Sequence, residues 1–104
     1  MIGTIERISE STTEERAGRT EPQDARLARY RSLAQENIQR EKFDAAQRCL
    51  EKAVYIAVRT YGPTHIEVGT NLLDLGTVLH KRGFAEAAEP LMARARRILR
   101  VAGN

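Results

Sequence analysis

The chain contains no tryptophan, one cysteine and three prolines, and only 5% of its residues are aromatic. Each shortage narrows what it can be. With so few rings, a core has to be filled by aliphatic side chains and alanine, which suits closely packed helices better than a sandwich or barrel. The single cysteine, Cys49, excludes an internal disulfide, and there is no CxxC pair to bind a metal. No run of 18 apolar residues occurs, so no transmembrane helix is expected. The opening Met1-Ile2-Gly3-Thr4-Ile5-Glu6-Arg7 lacks the basic and apolar regions of a signal peptide, and a cytoplasmic location is the default expectation. Catalytic patterns are missing too. No carboxylate pair, nucleophile with a base, or glycine-rich phosphate loop stands out, and His65 and His80 fall near opposite ends of one expected helix, too far apart to share a metal. Neither an enzyme nor a cofactor is expected.

What remains is ordinary for a soluble domain: 104 residues, 41% hydrophobic, 30% charged, net charge +3. The charge is uneven. Residues 1–24 hold six acids against three arginines, a net −3 that leaves +6 on the remaining 80. Within that acidic segment, residues 9–20 contain one apolar side chain, Ala17, too little burial to offset the entropy of ordering. Residues 1–24 are therefore expected to be flexible and residues 25–104 to form the domain. Ile2, Ile5 and Ile8 recur every third residue and could form a helical turn that docks on a neighbour, or simply a frayed terminus.

Beyond residue 21 the periodicity is helical. Thr20 or Asp24 is a candidate cap for a first helix, in which Leu27, Tyr30, Leu33, Ala34, Asn37 and Ile38 share one face. A second helix begins near Asp44, turns Ala46, Cys49, Leu50, Ala53, Val54, Ala57 and Val58 inward, and stops at Gly62-Pro63. Thr64, with Glu67 three residues on, has the spacing of a capping box for a third helix to about Arg82, with Leu72, Leu75, Gly76, Val78 and Leu79 inside. A fourth runs from about Ala85 to Val101, burying Ala88, Leu91, Met92, Ala95, Ile98 and Leu99. Pro90 should bend its first turns unless the helix starts later. Cys49 reads as a small core hydrophobe.

Shifting the sequence by 42 residues aligns its two halves without a gap. Tyr30 falls on Leu72, Leu33 on Leu75, Ala34 on Gly76, Ala46 on Ala88, Leu50 on Met92 and Ala53 on Ala95. Small stands with small and large with large. Where two helix backbones cross closely only alanine or glycine fits, and each adjoining hollow needs a bulky side chain.

The run from Leu75-Gly76 through Gly83-Phe84 to Ala88-Glu89-Pro90-Leu91 resembles a tetratricopeptide repeat. Ala88-Glu89-Pro90-Leu91, the turn Tyr61-Gly62-Pro63-Thr64-His65 and the 42-residue period resemble, more narrowly, the repeats of kinesin light chains and their bacterial relatives. The resemblance covers roughly residues 25–101. It implies an all-α fold of two helix-turn-helix repeats, four antiparallel helices in all, and a protein-interaction module, an adaptor or assembly component, whose partner is a protein or peptide. Two departures stand out. Asn71-Leu72-Leu73-Asp74 carries Leu73 and Asp74 where the family usually has asparagine or other polar residues, and the aromatic that opens the second helix is Phe43 in the first repeat but Ala85 in the second.

The resemblance places residues 25–41 and 65–82 on the concave face. Arg31, Gln35 and Gln39, with Thr70, Leu73, Thr77, His80 and Lys81, should point into it and suit a peptide carrying acids. The alternative is a solvated helix face. Arg94, Arg96, Arg97 and Arg100 near the end of the fourth helix complement its dipole. They also support a second reading, a small basic regulator of nucleic acid, which the lack of interleaved aromatics disfavours. Two repeats fall short of the roughly three that a stable stack needs. Either the isoleucine triplet folds back, or self-association or a different protein completes the array, the last two being favoured.

Overall fold

The computed structural model describes residues 22–103, which form four helices and, among the described residues, no strand. They are α1 (Gln23–Gln39), α2 (Phe43–Tyr61), α3 (Ile66–Lys81) and α4 (Ala85–Ala102). The isoleucine triplet, the polar stretch over residues 9–20 and the candidate cap Thr20 lie outside the described residues.

The two repeats turn in the same way. In the first, the Lys42 N–H donates to the Asn37 carbonyl at 2.8 Å and the Glu41 N–H to Ile38 at 3.0 Å; in the second, Phe84 donates to Leu79 at 2.8 Å and Gly83 to His80 at 3.0 Å. This pair of hydrogen bonds closes a helix over a left-handed residue. Gly83 supplies that conformation freely at φ +88°, whereas its counterpart Glu41 adopts φ +59° with a side chain.

Two expected caps differ from those observed. Asp24 does not cap α1, which starts after Pro22; it lies in the first turn, where its carboxylate accepts a hydrogen bond from the Tyr61 hydroxyl. Nor does Thr64 cap α3. His65 takes that place, its Nδ1 accepting the Glu67 N–H at 3.0 Å, so the capping box does not form. The His65 ring stacks on Tyr61 with centroids 4.4 Å apart, and this stacking fixes the imidazole where it can accept. The hydrogen bond to Asp24 and, secondarily, burial hold the Tyr61 phenol above its ordinary value of 10.0. The contact ties the start of α1 to the turn between the repeats.

Small residues mark the helix crossings. A Cβ on Gly76 would fall within the van der Waals envelope of Met92 Cγ and 3.1 Å from its sulfur, and one on Gly69 would meet Ile98 at 2.9 Å. α3 is the most enclosed helix, lying against both α2 and α4. Two apolar clusters result. One joins Leu27 to Ala53, Ile56, Val68, Leu72 and Ile98; the other gathers Ala34, Leu50, Leu75 and Leu79 around Ala46 and Ala88. α4 runs unbroken through Pro90. Several expected core residues are not fully enclosed: Leu33 is 40% exposed, and Cys49, Tyr30, Asn37, Ile38, Val54, Val58, Leu91, Met92 and Leu99 are half-buried. Leu33 and Cys49 lie on the side of the first repeat that no other described helix covers. Ile56 and Val68 are buried instead at positions the periodic reading passed over.

Candidate functional site

The first and third helices approach each other at the Arg31–Glu67 contact. On α1, Arg31, Gln35 and Gln39 recur every four residues and line an open hollow of about 480 Å³ together with Ala28, Ser32 and Glu36. The hollow gathers these three expected residues, but none of the five expected on α3 lines it. On α3, Thr70, Leu73, Thr77, His80 and Lys81 share a stripe by their helical spacing. The Thr70 hydroxyl donates to the Ile66 carbonyl at 3.0 Å and that of Thr77 to Leu73 at 2.9 Å. With their protons committed to the helix, both hydroxyls offer a ligand chiefly lone pairs. Leu73 is half-buried and packs against the first apolar cluster. Gln39, Thr77, His80 and Lys81 are exposed.

Arg31 links the two helices. Its guanidinium lies 3.4 Å from the Glu67 carboxylate, the two side chains being 39% and 32% exposed. A half-exposed pair of this kind contributes at most about 1 kcal/mol, but it sets the charge of the groove. Asp74 is also on this side. Burial raises its pKa above the ordinary 3.8, and the nearby positive charge of Arg31 partly offsets the rise. Arg31 thus faces two acids, Glu67 and Asp74, and the groove's cationic end falls to Lys81 in the last turn of α3. A partner's acid is best met there.

The site expected from the sequence gives no part to three residues of this region: Glu67, Asp74 and Asn71. Asn71 is fully buried; its amide donates to the Glu67 carbonyl at 2.7 Å, while its Oδ1 has no hydrogen-bond partner among the described residues. The spacing of Asn71, Leu75 and Val78 places all three on one helix side and could have flagged it. Glu67's pairing joins residues 36 positions apart and has no local signal.

The C-terminal arginines are partly engaged. Arg96 pairs with Glu89 at 3.3 Å, and Arg94 donates to the Pro63 carbonyl at 3.3 Å. Among the described residues no cluster of three or more His, Cys, Asp or Glu could hold a metal ion, and no described helix is long and apolar enough to cross a membrane.

The family model that matches the chain is that of the tetratricopeptide repeat, over residues 24–100. The chain belongs to the tetratricopeptide repeat family. Comparison with curated proteins and with solved structures gives no match. The matched span runs from the first turn of α1 almost to the end of α4 and so includes both repeats. Tetratricopeptide repeats generally serve as protein–protein interaction modules, so the α1–α3 groove of this tetratricopeptide repeat protein is its candidate binding face.

Proposed function

We propose that residues 25–104 act as a cytoplasmic adaptor or assembly module that holds an extended segment of a partner protein along the α1–α3 face. What supports this reading is the hollow that Arg31, Gln35 and Gln39 line on α1, the stripe that carries Thr70 and Thr77 on α3, and the Arg31–Glu67 pair that links the two helices. An extended backbone presents alternating N–H and C=O groups. Side-chain amides can serve both, and the threonine lone pairs can accept from its N–H groups. Half-buried Leu73 gives an apolar contact in the middle of the face, and Lys81 meets an acid at one end. The bound segment is polar, extended and acidic toward the Lys81 end.

The test is selection of linear peptides from a displayed random library on the full chain, followed by affinity measurement on variants. The double substitution Gln35→Ala and Thr77→Ala removes two hydrogen bonds of about 0.5–1.5 kcal/mol each and should weaken the selected peptide roughly tenfold or more. Arg96→Gln, Arg97→Gln and Arg100→Gln together should leave it unchanged. Steeply salt-dependent duplex binding, abolished by those three arginine changes, would replace this reading with the nucleic-acid one.

A further inference from the structure

The front of the first repeat is unfinished by the standard of the second. Shifted by 42 residues, Tyr30 and Cys49 stand where Leu72 and Leu91 stand in the second repeat. Leu72 and Leu91 pack into the apolar cluster that contains Ala53, Ile56 and Ala57 of α2, so a helix of the preceding repeat covers them. Tyr30 and Cys49 instead line an open, largely apolar hollow of about 750 Å³ with Arg48, Glu51, Lys52 and Tyr55, and Tyr55 is 60% exposed. A concave apolar surface rimmed by charge marks a docking site.

We infer that this hollow seats the chain's own N-terminal segment, with Ile2, Ile5 and Ile8 against Tyr30, Cys49 and Tyr55 and with Glu6 and Glu10 toward Arg48 and Lys52. The isoleucines put three bulky apolar side chains within seven residues, enough to meet the apolar rings of the hollow. Charge favours the same occupant. Residues 1–21 carry five acids against three arginines. The rim carries two cations against one acid, Glu51, which accepts from Gln47; Lys52 has no ion-pair partner among the described residues, and the exposed Arg48 has only Asp44, at 3.9 Å. A second copy stacked end to end would bring the hollow at the far end of the array, lined by Arg94 and Arg97 with Ile98 and Val101, against Arg48 and Lys52. Like charges would then meet. The reach is sufficient. Residues 9–21 span up to about 43 Å when extended, whereas α1 advances about 11 Å from Gln23 to Tyr30. Tethering also holds the segment at an effective concentration in the millimolar range.

Cys49 is the only thiol in the chain and lines the hollow, so its labelling by a small aromatic disulfide reagent reports the cover directly. A segment docked nine-tenths of the time slows labelling about tenfold. Deleting residues 1–20, or substituting Ile2→Ser, Ile5→Ser and Ile8→Ser together, should each restore the fast rate, and Lys52→Glu should raise it in part. The serine variant keeps the test valid if the shortened chain folds poorly. An Ile5→Cys chain under mild oxidation should form an intramolecular disulfide with Cys49. Equal labelling of the intact and serine-substituted chains would overturn the inference. So would protection that grows with protein concentration, which would assign the hollow to a second copy. Because the concave face takes no part in the assay, the result stands or falls apart from the proposed peptide binding.

Discussion

Gly76→Ala should destabilise the fold, although the same change on an exposed helix would stabilise it. Replacing a mid-helix glycine by alanine gains about 1 kcal/mol in helix propensity. Here the added Cβ meets the middle of the Met92 side chain, Cγ within its van der Waals envelope and Sδ at 3.1 Å, and the Ala88 carbonyl lies 3.6 Å away. Methionine usually adapts by swinging its end, but relieving a clash at Cγ requires a new χ1 or a backbone shift. Overpacking of this kind costs about 1–3 kcal/mol, and contact at mid-chain puts the cost in the upper half of that range. The net loss is then about 1–2 kcal/mol, or roughly 4–16 °C in Tm for a domain of this size. Urea unfolding followed by far-ultraviolet circular dichroism measures it. A double-mutant cycle isolates the cause. In a Met92→Ala background the obstacle is gone, and Gly76→Ala should become stabilising by about 1 kcal/mol, a coupling of about 2–3 kcal/mol. An equal effect of Gly76→Ala in both backgrounds would refute the close-crossing explanation of the repeat.

Other perturbations test separate features. Glu41→Gly should stabilise by about 0.5–1 kcal/mol, because about 1–2 kcal/mol of left-handed strain is relieved and part is returned as unfolded-state entropy; a shift in the urea midpoint measures it, and a loss of stability would contradict the turn analysis. His65→Ala removes the α3 cap and the Tyr61 stacking and should cost about 1 kcal/mol, most of which His65→Asp restores, as thermal melts of the three chains will show. Asp74 supplies a pH dependence. Since burial raises its folded pKa above the ordinary 3.8, the stability it contributes is full below that value and is lost as pH rises through the raised one. Stability of Asp74→Asn measured across that window should fall less with rising pH than that of the parent chain.

The repeat was legible because it is written in side-chain volume. Ala34 and Gly76 stand where backbones cross, Leu50 and Met92 where hollows need filling, and a fixed shift reveals both without knowledge of any contact. The turns were legible only in part. Gly83 announces a left-handed residue, but Glu41 adopts that conformation with nothing local to signal it, and only its place 42 residues earlier explains it. The cap of α3 falls at His65 instead of Thr64, where the ring stacks on Tyr61 across the turn, a local geometry that the ordinary preference for threonine does not encode. Periodicity also assumed that every apolar stripe meets a partner. Leu33 and Cys49 show otherwise, since a stripe at the end of an array is covered only if something lies beyond it. The candidate site followed the same division. The helical spacing of Arg31, Gln35 and Gln39 predicts their shared hollow, whereas the charge beside it depends on Glu67 and Asp74, which only the folding of the second repeat against the first brings near Arg31.

The most direct measurement of the central claim, that the α1–α3 face binds an extended segment, is amide chemical-shift mapping of the full chain titrated with a selected peptide. The account predicts saturable shifts concentrated at Arg31, Gln35 and Gln39 on α1 and from Thr70 to Lys81 on α3. Shifts confined to α2 and α4, or to the C-terminal arginines, would contradict it.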